Sequence, residues 1–138
     1  MSVTELPAKA PRAPAVGSAD SAQQYDTYDG PNTVAEDWIG YQYGAGQSFN
    51  RLLFQEGRNF VDGGWFTTLR VQVRQGGTWV NVPGLTFAPV YPGTNNGTSY
   101  ESYNLRFTTT NGDGIRIIGN PGGSADFISV GELQVFGP

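Results

Sequence analysis

Five side chains able to bind a ligand or move a proton fall in one glycine-rich stretch, QEGRNFVDGGWF: Glu56, Arg58, Asn59, Asp62 and Trp65. An arginine and a carboxylate together make a polar fork for sugar hydroxyls, asparagine adds a donor and an acceptor, and an indole offers a flat apolar face to a pyranose. The clustering in one loop carries the argument, because each residue alone has a plainer explanation. Trp65 begins the strand that follows and reads first as core or rim packing, while Arg58 reads as a surface partner of Glu56 or Asp62, a contact worth little. A second stretch, APVYPGTNNGTSY, adds Tyr91, Asn95 and Asn96, and an early loop adds Tyr28; Tyr91 before Pro92 also fits an ordinary turn. Glu56 and Asp62 are the two carboxylates a glycosidase formally needs. Such pairs arise by chance in loops, so no enzymatic activity is expected. Asn96-Gly97-Thr98 matches a glycosylation acceptor, a short pattern of low specificity.

Absent residue types narrow the chemistry further. The chain has no cysteine and no histidine, which removes thiolate and imidazole metal ligands, the cysteine nucleophile and the commonest general base. A formal charge of -4, with eight basic residues scattered singly, offers no basic stripe for phosphates, so nucleic acid is not an expected partner. No stretch approaches the roughly 18 consecutive apolar residues of a membrane span, and the opening residues lack the apolar core of a signal peptide.

The elements that must position the loops read as strands. The 138 residues suit one domain with one core. Residues 1–24 are rich in alanine and proline, with Pro7, Pro11 and Pro14 too closely spaced for a continuous helix, and read as an arm or linker. From Tyr25 to Pro138 short apolar runs alternate with turn signals, placing strands near 38–43, 49–55, 66–74, 78–82, 100–107, 114–118 and 127–136. Leu69, Val71 and Val73 share one face of the third run, and Arg70, Gln72 and Arg74 the other. Gly76-Gly77 signals a hairpin, and Asn111-Gly112-Asp113-Gly114 another sharp reversal. In the last run Ile128 and Val130 keep one phase and Leu133 and Val135 the opposite one, so a β-bulge is expected around Gly131-Glu132.

The order DWIGYQYG, FNRLLFQEG, GGWFTTLRVQVRQGGTWVNV and GIRIIGNPGGSADFISVGELQVFG resembles the discoidin or coagulation-factor C-type family, which includes the family 32 carbohydrate-binding modules. The likeness covers about Tyr25 to Gly137 and is most specific in the closing Ile-Arg-Ile strand and the Glu-Leu of the last strand. It implies an all-β, eight-stranded antiparallel jelly-roll sandwich of the galactose-binding-like type, with ligand loops at one end, Trp79 packed inside and no catalysis. It also implies one structural Ca2+, whose matching positions are Asp29 and Glu132, with Asn32 and Thr33 as further donors; oxygen-only ligation suits that hard cation. The competing explanation for Glu132 is a structural carboxylate, capped or paired with Arg116.

Two functions follow as expectations. The first is a lectin-like, glycan-binding module whose shallow site uses Arg58, Asn59, Asp62, Trp65, Tyr91 and Tyr28, and whose weak single-site affinity requires several copies. That makes a homo-oligomer or a larger assembly the expected state. The second is a decoration or attachment protein of a particle such as a phage, anchored by the N-terminal arm. Either places the protein outside a cell or on a virion surface.

Overall fold

In the computed structural model, residues 25–28 and 35–138 are described. The arm expected over residues 1–24, and Asp29, Asn32 and Thr33 of the expected calcium site, lie outside these residues. The described residues form strands and no helix: β1 (Tyr25–Asp26), β2 (Asp37–Glu56), β3 (Arg70–Gln75), β4 (Thr78–Asn81), β5 (Thr86–Ala88), β6 (Ser102–Gly119) and β7 (Ser129–Phe136). All the strand pairs are antiparallel, in the order β1-β7-β2-β6-β3-β4, with β5 also on β6.

The two long strands make this ladder a jelly-roll sandwich. The first part of β2 pairs with the last part of β6, which continues onto β3 and β4; the second part of β2 pairs with the first part of β6 and with β7. Between Gln42 and Gln47 the register breaks, and the pair passes from one layer to the other. Tyr41 in the first layer donates its hydroxyl to the Leu133 carbonyl of β7 at 2.8 Å, closing one layer on the other. The resemblance implies eight strands; the described residues form seven, of which β2 and β6 serve both layers. Consequently the Asn111–Gly114 stretch is no reversal. β6 runs straight through it, and a Cβ on Gly112 would collide with the Arg74 carbonyl oxygen and Val73 Cγ1, so glycine there permits close approach of β3.

The core fills the space between the layers. Val71 and Val73 are fully buried with Leu69 packed beside them, as the alternation in β3 requires, and Ile115, Ile117, Leu52, Phe54, Tyr103 and Leu105 meet them from β6 and β2. Gly76 and Gly77 both take left-handed φ and form the β3–β4 hairpin. The phase change in β7 is a β-bulge: Gln55 opposes Glu132 and Glu56 opposes Val130, leaving Gly131 as the extra residue. Val130 and Leu133 therefore both face the core.

Trp79 does not pack inside. Its neighbour Val80 opposes the buried Val73, so the alternation turns Trp79 to the outer face of the first layer, half-buried beside Trp38 with their ring centroids 5.8 Å apart. Among the described residues no helix is long and apolar enough to cross a membrane.

Candidate functional site

The segment after β1, the β2–β3 loop and the turn before β7 converge at one end of the sandwich. Thr27 is the tie for the first of them: its amide donates to the Ile128 carbonyl and its hydroxyl accepts from the Ile128 amide, both at 3.0 Å. That bonding sets Tyr28 edge-on against Phe127, with centroids 5.3 Å apart. In the β2–β3 loop the Phe60 amide donates to the Gly63 carbonyl at 2.8 Å, and the Gly64 amide donates to the Phe127 carbonyl at 2.9 Å. The Ser129 hydroxyl donates to the Arg58 carbonyl at 2.6 Å. Gly63 lies flat against the Phe127 ring, where a Cβ would not fit.

These bonds build a hollow of about 270 Å³ lined by Asp26, Tyr28, Phe60, Asp62 and Phe127. Phe60, partly exposed, and Tyr28, half-exposed, offer the open aromatic surface there, and the Phe127 ring, 4% exposed, backs them, 5.8 Å from Phe60 and 5.3 Å from Tyr28. The Arg58 guanidinium lies over the Phe60 ring, 5.0 Å from its centroid. Asp26 and Asp62 line the hollow beside these rings, Asp26 Oδ1 accepting from the Tyr28 amide at 3.2 Å, and carboxylates next to an aromatic face can hold the hydroxyl or ammonium donors of a stacked ring.

Of the expected ligand residues, Tyr28, Arg58 and Asp62 come together here. Asn59 turns away to the second loop, its side-chain amide donating to the Thr98 carbonyl at 3.0 Å. Asn95 does the same in reverse, donating to the Phe60 carbonyl at 3.1 Å, so the second loop supports the first from behind. Trp65, only 9% exposed, packs against Gly122 and is a core-edge residue with no face to offer a ligand. Tyr91 is likewise structural: its hydroxyl donates to Glu56 Oε2 and accepts from the Phe66 amide at 2.9 Å. Its ring lines a separate cleft of about 390 Å³ with Thr67, Thr68 and Phe87.

The carboxylate pair read from the loop is split by this arrangement. Glu56 is 2% exposed, and burial pushes its carboxyl up to about 7, the Tyr91 hydroxyl offsetting only part of that effect. Asp62 opens on the hollow. Asp26, Phe60 and Phe127 were not among the expected ligand residues. Phe60 sits inside the loop that drew attention, and an aromatic ring among its polar neighbours was the available signal; Phe127 reads as the start of a strand, and Asp26 carries no local signal.

At the bulge, Glu132 is buried, and its partner is Gln134, whose amide donates to Glu132 Oε1 at 2.6 Å. The expected alternative partner, Arg116, instead donates through Nε and Nη2 to Gln72 Oε1, at 2.9 and 2.6 Å. Glu132 Oε2 and Gln55 Oε1 are buried without a hydrogen-bond partner among the described residues. The two residues are cross-strand partners, so both side chains leave the same face. Among the described residues no group of three or more acidic, histidine or cysteine side chains forms a metal cage.

No protein-family model and no curated protein sequence matches the chain. Its structural neighbours include carbohydrate-binding modules and a glycosidase chain. The fold superposes on a chain of the β-galactosidase BgaA of Streptococcus pneumoniae with a TM-score of 0.69 at 9% identity, covering 88% of this chain and 83% of that one. A family 32 module of Clostridium perfringens, solved with GalNAc-β-1,3-galactose, gives 0.61 at 17% identity, covering 88% and 80%. A chitosan-binding module from a chitosanase/glucanase of Paenibacillus sp. IK-5 gives 0.57 at 20% identity, covering 88% and 82%. The chain thus has the galactose-binding-like jelly-roll fold of the family 32 modules.

Proposed function

We propose that this chain is a non-catalytic glycan-binding module whose site is the loop-end hollow of Tyr28, Phe60, Phe127, Asp26 and Asp62. The observation that carries this reading is a hollow lined by aromatic rings and two aspartates, on the loop end of a fold whose solved neighbours include modules named for carbohydrate binding. A pyranose stacks its apolar face on the exposed surface of Phe60 and Tyr28, and Asp26 and Asp62 accept from its hydroxyls or from an amino group. The carboxylates disfavour acidic sugars there by like-charge repulsion. The neighbours were solved with or named for different sugars, so the loops and not the fold decide which glycan is held.

Calorimetric titration with neutral and amino sugars tests the assignment. The expected result is saturable binding with Kd on the order of millimolar, weakened about tenfold or more by Asp62→Ala and by Phe60→Ala. Flat titrations across the sugars, or full binding by both variants, would remove the hollow as the site.

The same reading includes one structural calcium at the bulge. Its support is chemical: a buried carboxylate oxygen of Glu132 and a buried amide oxygen of Gln55 lack partners, and calcium is a cation that accepts such hard oxygens. Glu132 would hold the ion with Gln55 and with oxygens of the early loop. Calcium binding only the folded chain raises the melting temperature, by an amount equivalent to about 2.7 kcal/mol at a hundredfold excess over Kd. Thermal melts with calcium and with chelator should differ in the natural chain and coincide in Glu132→Gln; coincident melts in both proteins would exclude the ion.

A further inference from the structure

The outer face of the first layer carries a second constellation that shares no residue with the hollow. The Arg116 guanidinium lies 4.6 Å from the Trp38 ring centroid and 4.3 Å from that of Trp79. Gln72 Oε1 accepts from both Nε and Nη2, and Gln72 is itself held by donating to Asn81 Oδ1 at 2.9 Å. Two glycines make room. A Cβ on Gly40 would press on Arg116 Cβ at 2.6 Å, and one on Gly114 would meet Trp79 Cη2 at 3.1 Å. Rings and guanidinium are all half-buried, fixed in place with part of their surface open.

Charge distinguishes Arg116 from its neighbours on this face. Arg70 pairs with Glu36 at 2.8 Å and Arg74 with Asp113 at 3.3 Å. The hydrogen bonds of Arg116 among the described residues go to a neutral amide and it makes no ion pair there; the Glu36 carboxylate, engaged by Arg70, acts on it only from farther off. The side edge of the guanidinium is spent on Gln72, which leaves the Nη1/Nη2 end, the fork that fits a carboxylate with two parallel bonds. A fork held by two indoles and an amide has little freedom left to lose on binding.

We propose that this face is a binding site for acidic glycans, with Arg116 taking the carboxylate of a uronic acid and Trp38 and Trp79 flanking its ring. It works independently of the hollow, whose carboxylates select against the same sugars.

The indole N–H signals of the full chain, followed by NMR, test it during titration with tetragalacturonate and with its methyl ester, which keeps the sugar and removes the charge. The expected result is a saturable shift of the Trp38 and Trp79 signals with the Trp65 signal still, and about tenfold weaker binding for the ester and for Arg116→Gln. Arg116→Lys keeps the charge without the fork and should also bind less tightly than the natural chain. The Trp65 signal in each variant reports that the fold is kept. Asp62→Ala should leave uronate binding unchanged, which separates failure here from failure of the hollow. No shift at roughly 20 mM uronate, equal binding of the ester, full binding by Arg116→Gln, or loss with Asp62→Ala would each overturn the proposal. So would sedimentation showing that the face instead joins two copies through Arg116.

Discussion

At the scale of single residues, the loop end is fastened by a buried acid. Glu56 is nearly inaccessible, its carboxyl is raised to about 7 from an ordinary 4.5 mainly by burial, and its oxygen takes the Tyr91 hydroxyl. The folded chain therefore holds a proton there that the unfolded chain releases near pH 4.5. Stability from this group is fully present below the unfolded value and declines as pH rises to about 7, by roughly 3 kcal/mol at about 1.4 kcal/mol per pH unit. Denaturant melts between pH 5 and 8 should show this decline, and Glu56→Gln should flatten it while keeping an oxygen for Tyr91. An equal slope in both proteins would place the titration elsewhere. Glu56 and Tyr91 entered the sequence reading as ligand or catalytic candidates because polar side chains in loops look alike in sequence. Burial separated them from Asp62.

At the scale of elements, the decisive feature is that β2 and β6 each pass through both layers. Reading 38–43 and 49–55 as separate strands, and likewise 100–107 and 114–118, located the strand positions and missed the continuity. The glycines at these crossings differ in kind. Gly112 faces the Arg74 carbonyl and Val73, whereas Gly44 and Gly46 have nothing near their missing side chains. Gly112→Ala must force β6 away from β3 and should cost about 1–3 kcal/mol, as overpacking does. Gly44→Ala should change the melting temperature little, so equal losses for the two variants would contradict this account of the crossing. The β7 bulge, by contrast, was legible beforehand, because a period-two pattern that changes phase within one strand requires an extra residue.

At the scale of the whole molecule, charge is divided between surfaces. The loop hollow presents Asp26 and Asp62 with Arg58 beside them, while on the outer face of the first layer Glu36 and Asp113 offset Arg70 and Arg74 and leave Arg116 without an ion pair among the described residues. A net charge of -4 conceals that division. A shallow site of millimolar strength acts usefully only in several copies, whether by self-association or within a larger assembly. The alternative role, attachment to a particle through residues 1–24, makes an opposing demand on the chain. Under the glycan reading, a variant lacking residues 1–24 should bind sugar in calorimetry with the affinity of the full chain. Loss of binding on that deletion would assign the arm to the site and revise the proposal.

Composition and periodicity by themselves determined the all-β class, the inward face of β3, the β3–β4 hairpin and the bulge at Gly131, because each follows from backbone geometry acting over a few neighbouring residues. The order of motifs added the jelly roll. Only the tertiary structure decided which polar side chains remain open to a ligand. It buried Glu56 and Trp65, turned Asn59 and Asn95 on one another's loops, moved Trp79 outside beside Arg116, and brought Asp26 and Phe127 together with Phe60. Asp26 and Phe127 lie a hundred residues apart in the chain, and what joins them is the pairing of β1 with β7 and the two hydrogen bonds between Thr27 and Ile128. Local sequence carries no record of such contacts, since they exist only once the layers have closed.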